Sequence, residues 1–327
     1  MISFELGVED LAATRFAMSP LHETLLSLRV LREPGLSALH LPWRRRTLSL
    51  IGSLDVELLL ASVARRRTIA DFLTPRPNSF APDFEEQLAE VGRVPPGRVR
   101  QDLRASFAPD PLPDVLRAAA EADDATVVRL RDQLCAILRQ YWLSALAPSW
   151  REMSLLLQAD MTYRARRLAL GGAHLLFSDL HPHVRWDEGV LHIDRMIGEH
   201  RVGVAGRGLL LLPSVFAHQP APPHTPQEPP HLVYPSRGTA TLWAAPRDSD
   251  TAELAALLGA PKARLLVLLE EPHATVDIAR LLRITPSAVS QHLRTLHSAG
   301  LLTRARDGRQ VLYRRSDLGD RLAHGSS

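Results

Sequence analysis

Ser287, Ser290, Gln291 and Arg294 are the residues whose types and spacing point most directly to chemistry. On a helical wheel of about 100° per residue with Val289 at zero, the four fall between roughly 100° and 200°. Leu293 falls near 40° and Leu296 near 340° on the same wheel, so an apolar stripe lies opposite them. Two hydroxyls, an amide and a guanidinium on one helix face are groups that hydrogen-bond base edges and phosphates in a major groove. An ordinary amphipathic surface helix would divide in the same way, so the flanking residues decide.

Those flanks read as a helix-turn-helix followed by a hairpin. Thr275 is placed to cap a first helix running to Arg283, with Ile278, Ala279 and Leu282 on its buried side, and Ile284-Thr285 is the turn. Thr285 can cap the second helix, 286–299, with Pro286 at its first position, where the missing N–H costs nothing. Gly300 ends that helix. Residues 301–306 read as a strand, Asp307-Gly308 as a hairpin signal and 309–314 as the returning strand. The tip of this wing, 301–314, carries Arg304, Arg306 and Arg309, with Arg314 and Arg315 at the far end. Between residues 275 and 315 there are 8 Arg against 2 Asp, a local excess that the whole-chain net charge of +3 conceals. A basic hairpin beside such a helix can lie along a phosphate backbone or in a minor groove.

The run Ser287-Ala-Val-Ser-Gln-His-Leu-Arg-Thr-Leu-His-Ser-Ala-Gly-Leu301 resembles the signature of the ArsR family of winged-helix repressors. Leu257-Leu258-Gly259, the helix around 264–269 and Asp307-Gly-Arg-Gln-Val-Leu-Tyr313 share the resemblance. It implies double-stranded DNA as partner, a palindromic operator, a homodimer and repression. Carried onto this sequence, it implies DNA contacts from Thr285, Ser287, Ser290, Gln291 and Arg294, with Arg306 and Arg309 serving the wing. Metal-sensing members place two cysteines on the helix before the turn. Here that segment is Ala274-Thr-Val-Asp277, so no cysteine metal site is expected. The C-terminal helix, 317–323, is short for a dimer interface. Dimerisation and signal sensing therefore move to the N-terminal residues, where a small organic effector is the expected ligand. Gly206–Phe216, Tyr234–Gly238 and Leu242-Trp243 resemble an uncharacterised domain found ahead of this winged helix in some bacterial regulators, one with no chemistry to carry over.

The elements ahead of the reading head set the fold class. With 45% hydrophobic and 23% charged residues, the 327-residue chain has the composition of a soluble globular protein. Cys135 is the only cysteine, which excludes an intrachain disulfide and fits a reduced, cytoplasmic compartment. Met1–Leu6 has no signal-peptide character, and no apolar run reaches membrane-spanning length, so no membrane is expected. Helices are expected over 8–18, 20–31, 54–67, 114–122, 126–146 and 149–170, the last closed by Gly171-Gly172. Residues 75–113 read as irregular apart from a helix over 84–91, and Arg44-Arg45-Arg46 reads as a solvated turn.

Residues 1–6, 173–177, 184–186, 190–194, 201–204 and 209–212 read as strands, those after 173 forming hairpins of one small antiparallel sheet. Residues 213–235 read as irregular and 239–244 as a further strand. The fold class is then α+β: a mainly helical region, 1–172, and a small antiparallel region, 173–245, together forming one regulatory and dimerisation domain. A winged helix-turn-helix, 250–327, follows. The histidines between 174 and 192 read as a surface loop, Gly203–Gly208 as a turn, and Cys135 as a buried structural thiol. No catalytic set, metal or cofactor is expected. The alternative is an enzyme or small-molecule-binding protein with an appended regulatory winged helix.

Overall fold

The computed structural model describes residues 1–33, 35, 38–64, 69–196, 198–223, 229–243, 254–270, 272–282, 284–307 and 310–324. The chain divides into two compact units, Met1–Trp243 and Ala244–Ser327, and its class is α+β. Among the described residues no helix is long and apolar enough to cross a membrane.

The N-terminal unit is organised around helix α2, Pro20–Arg32, in which ten of thirteen residues are buried. A helix apolar on nearly every side must lie inside its domain, and the preceding elements place it there: strand β1 (Ile2–Glu5), helix α1 (Val8–Ala12) and strand β2 (Arg15–Phe16). Ser19 caps α2 by accepting from the His22 N–H at 3.1 Å, and the Gln87 side chain accepts from the Leu21 N–H. Buried Ser27 donates to the Thr24 carbonyl and meets the Tyr141 hydroxyl at 2.7 Å, so the polar groups inside the helix are satisfied. Against α2 pack α3 (Leu41–Leu50), α4 (Val56–Ala61) and α5 (Phe84–Gly92), and α6 (Pro96–Phe107) and α7 (Asp114–Glu121) join the same core through α8 (Asp124–Tyr141).

Helix α9, Trp150–Ser178, leads from this core to the sheets and is broken at Gly171 and Gly172. Gly172 has φ +62°, a conformation that glycine adopts without strain. Buried Arg164 pairs with Asp179, and Asp160 accepts from the Tyr234 hydroxyl at 2.8 Å, which ties α9 to the last strand of the unit. That strand, β7 (His231–Pro235), follows β3 (Val184–Asp187), β4 (Val190–Ile193), β5 (His200–Val202) and β6 (Leu210–Ser214). One sheet has the order β3-β4-β1-β5, with β1 antiparallel to β4 and parallel to β5. The other, β2-β6-β7, is parallel throughout. Both therefore recruit strands from the first sixteen residues.

Residues 8–18 are not one helix: α1 ends at Ala12 because Arg15–Phe16 pairs with Leu210–Leu211. Residues 173–177 continue α9 beyond its kink rather than forming a strand, since Ala173, Leu176, Phe177 and Leu180 bury one helical stripe in the sheet's core. The sheet region is two sheets with parallel pairings, not one antiparallel sheet. Residues 231–235 are a buried strand, and 239–242 form a short helix, α10 (Thr239–Leu242), after Gly238 at φ +77°. Arg44–Arg46 lie in helix α3, where Trp43 is buried and Arg44 donates to the Leu31 carbonyl. Helix α6 fills a stretch that reads as irregular, its Pro96 at a first-turn position. The expected helix over 54–67 runs only from Val56 to Ala61, and Arg65–Arg67 lie outside the described residues. Gly208, at φ +68°, lies so close to Ala13 that a Cβ would stand 2.3 Å from its carbonyl oxygen; this is a close backbone approach.

Glu23 gives the unit a pH-dependent stability. It is buried on α2, accepts from the Val215 N–H at 3.1 Å, and burial pushes its carboxyl from 4.5 up to about 7. A folded pKa above the unfolded one means that the stabilising contribution is complete below pH 4.5 and is lost as pH rises through 7. Glu23→Gln is expected to abolish a loss on the order of 3 kcal/mol across that window. Urea denaturation at a series of pH values checks this, and parallel stability profiles for the two proteins would contradict it.

Candidate nucleic-acid interface

The described part of the C-terminal unit opens with a short helix, α11, over 254–258 and with α12, Ala260–Leu268, entered through Gly259 at φ +81°. Strand β8 (His273–Ala274) and helix α13 (Thr275–Leu281) follow. Ala274, not Thr275, is the N-cap residue of α13, and it brings no side-chain cap; Thr275 is already helical. Beyond α13 the Ile284 N–H donates to the Ala279 carbonyl at 3.0 Å.

Helix α14, Pro286–Ser298, starts as its sequence requires. The Thr285 hydroxyl accepts from the Ala288 N–H at 3.3 Å and Pro286 takes the first turn. Val289, Leu293 and Leu296 are buried and join Leu265, Leu266, Ile278 and Leu302 in one core. The helix end is a Schellman motif: Gly300, at φ +74°, donates to the His297 carbonyl, and Leu301 donates to the Leu296 carbonyl, both at 3.0 Å. Leu301 is itself buried, so the same turn that stops the helix pins the strand that follows.

That strand, β9 (Leu302–Asp307), pairs antiparallel with β10 (Gln310–Arg315), and β10 also pairs with β8. The third strand, β8, gives the wing a base and is too short to stand out in the sequence. Arg315 is buried there, with its Nε 2.9 Å from Asp320 and its Nη2 3.3 Å from Glu270. Arg314 donates to the Glu270 carbonyl. These two arginines fasten the wing to the unit. Helix α15, Asp317–His324, closes over the junction so tightly that a Cβ on Gly319 would stand 2.2 Å from the Leu301 carbonyl oxygen.

Thr285, Ser287, Gln291 and Arg294 are exposed and Ser290 is half-buried, along the side of α14 that faces away from the core. The Arg294 Nε donates back to the Ser290 carbonyl at 3.3 Å, which lays the guanidinium along the helix surface. Arg306 is exposed on β9; Arg309 lies outside the described residues, as do Gly308 of the expected turn and Arg283. Arg294, Thr295, His297 and Ser298 of α14 share one shallow depression with Arg304 and Tyr313 of the wing. Thr295, His297, Ser298 and Tyr313 are absent from the sequence-based set. The cross-strand pairing of Tyr313 with Arg304 places them, and a wheel centred on Val289 shows Arg294 and Ser298 one turn apart. The surface thus combines hydroxyls, an amide, an imidazole and the guanidinium groups of Arg294, Arg304 and Arg306, while at the wing's base the buried Arg315 pairs with Glu270 and Asp320.

Residues 262–304 match the family model of the bacterial regulatory protein, arsR family. The C-terminal unit is therefore an ArsR-type DNA-binding winged helix, as befits a DNA-binding transcriptional regulator. The match runs from α12 through α14 into β9 and so covers the helix-turn-helix. No curated protein matches the chain. Cys135, the one thiol, lies in α8 of the other unit, where burial pushes it up to about 11, so it is protonated and poorly nucleophilic at neutral pH. His181 and His183 meet edge to face with ring centroids 4.8 Å apart, and the His181 Nδ1 accepts from the His183 backbone N–H at 3.1 Å.

The stripe on α14 is a core element, which a single truncation exposes. Leu293→Ala is expected to lower the opening free energy of the α14 amides by about 2–5 kcal/mol. Hydrogen exchange on the full chain measures it. Unchanged exchange in α14 would show that the stripe does not hold the helix.

Proposed function

We propose that the chain is a repressor that binds a palindromic operator as a homodimer, with α14 in the major groove and the wing on the backbone. The observation that supports this reading is the orientation of α14: its apolar side is held in the core, so Ser287, Ser290, Gln291 and Arg294 are presented together beside a basic hairpin. In the groove, Arg294 pairs with a guanine edge, Gln291 with an adenine edge or a phosphate, and the two serines with either. Thr285, at the positive end of the helix, and Pro286 lie where a phosphate would meet the free N–H groups of the first turn. Arg306, with Arg309 of the hairpin, neutralises backbone phosphates. The N-terminal unit supplies the dimer contacts and senses the signal through a small organic effector rather than a thiolate-bound metal.

Two substitutions separate reading from attraction. Arg294→Ala is expected to weaken operator binding by about 1–3 kcal/mol while leaving binding to unrelated DNA almost unchanged. Arg306→Ala is expected to weaken both and to reduce the slope of log K against log salt by about one. Fluorescence anisotropy with operator and scrambled duplexes at several salt concentrations measures both effects. An Arg294→Ala protein that binds the operator like the parent would contradict the assignment of α14 as the reader, and would favour a winged helix used for protein contact.

A further inference from the structure

The N-terminal unit contains a cavity of about 490 Å³ that the DNA-reading surface leaves unexplained. Its volume is in the range of small-molecule sites. One face of α2 forms a wall: His22, Leu26 and Arg29 succeed one another at helical spacing. Leu212 of β6 and Val233 of β7 form the apolar wall; Arg98 reaches it from the first turn of α6, and Arg76 and Arg195 from connecting segments.

Among the described residues that line this cavity, the charges are unbalanced. Arg98 has carboxylates to meet: its Nε is 2.7 Å from Asp102, and its Nη2 is 3.7 Å from Asp71, the one acid among the described residues that line the cavity. Arg29 makes no hydrogen bond or ion pair among the described residues; Glu33 attracts it from outside the cavity, and burial holds the guanidinium below its ordinary range. The Arg76 Nε is buried without a partner, and Arg15 and Arg207 stand near enough to repel its charge further. The His200 Nε2, on the same lining, is also buried and unpartnered. Burial, with His231 and Arg29 nearby, pushes His22 down to about 3, so it is a neutral hydrogen-bonding group. Cations removed from water without a counter-charge are costly, and an anion entering the cavity would relieve that cost.

We propose that this cavity binds a small organic anion, its charged head on Arg29 and Arg76 and its apolar body against Leu26, Leu212 and Val233. A carboxylate, a sulfonate or a phosphate ester meets the arginine requirement, since a guanidinium can accommodate each through paired N–H donors. An inorganic ion would leave the apolar wall unfilled, and an uncharged apolar molecule would leave the arginines unpaired. The identification of this anion as the regulatory signal rests on the reading that the N-terminal unit senses an effector; the binding site itself does not.

The test uses two probes with the same apolar body: anilinonaphthalene sulfonate, an anion, and N-phenylnaphthylamine, which is uncharged. Calorimetric and fluorescence titrations of the full chain are expected to show one sulfonate site, at least about tenfold tighter than that for the neutral probe. The Arg29→Gln/Arg76→Gln double variant is expected to lose that preference while retaining its affinity for the neutral probe, and Arg29→Lys/Arg76→Lys to recover part of it. Arg76→Gln alone, on a half-buried connecting segment, serves if the double variant does not fold, with loss of preference again expected. Equal affinities for the two probes in the parent, or full sulfonate affinity in the glutamine variants, would overturn the proposal. Anisotropy of an operator duplex with the sulfonate added is read separately. A filled site with unchanged DNA affinity supports the cavity as an anion site and removes only its regulatory role.

Discussion

Burial of Val289, Leu293 and Leu296 is the constraint on which the functional surface depends. Once these three side chains are in the core of the C-terminal unit, α14 has no rotational freedom left, and its polar residues must face outward as a set. Everything adjoining the helix preserves that orientation. Thr285 and Pro286 fix where it starts, Gly300 and Leu301 fix where it stops, and the Arg315 ion pairs hold the wing beside it. Hydrogen-bonding groups on a helix surface can read a base edge only when the surrounding scaffold holds their positions. Here the apolar stripe supplies that positioning for the exposed face that we propose as the reader of DNA.

The N-terminal unit is built on a different principle. Its first sixteen residues pair with strands that come after the whole helical region, so sheets and helices close around α2 together. The elements that line the cavity are among those that close the unit: α2 carries Arg29 toward the cavity and Glu23 toward the end of β6, while β6 and β7 supply the apolar wall. A ligand that changed the balance of charge at Arg29 would act on the helix around which this unit is assembled.

What could be read from the sequence follows the range of the interactions involved. Thr285-Pro286, the Val289 stripe and Gly300 are local signals, so the helix, its faces and both its ends were legible. The spacing behind the helix over 20–31 and the strands over 184–186 and 190–194 is local too, and α2 and the β3–β4 hairpin lie there. Long-range choices were hidden. Arg15–Phe16 becomes a strand because of Leu210–Leu211, two hundred residues away in the chain's order, and 231–235 becomes one because β6 lies beside it. Residues 173–177 alternate as a strand would, but the packing surface beneath them selects a helical spacing. Proline content concealed α6, whose Pro96 starts the helix instead of breaking it. At the interface, Arg315 and Arg306 look alike in sequence; Glu270 and Asp320 draw one inward and leave the other exposed.

Dimethyl sulfate footprinting of the DNA upstream of the protein's own gene, with the parent chain and the Arg294→Ala variant, tests the account most directly, because the reagent reports on guanine N7 in the major groove. Protected guanines are expected in two symmetric half-sites about one helical turn, or a multiple of it, apart. One guanine in each half-site should become reactive again in the variant. Protection that is absent, confined to the minor groove, or identical in the two proteins would contradict it.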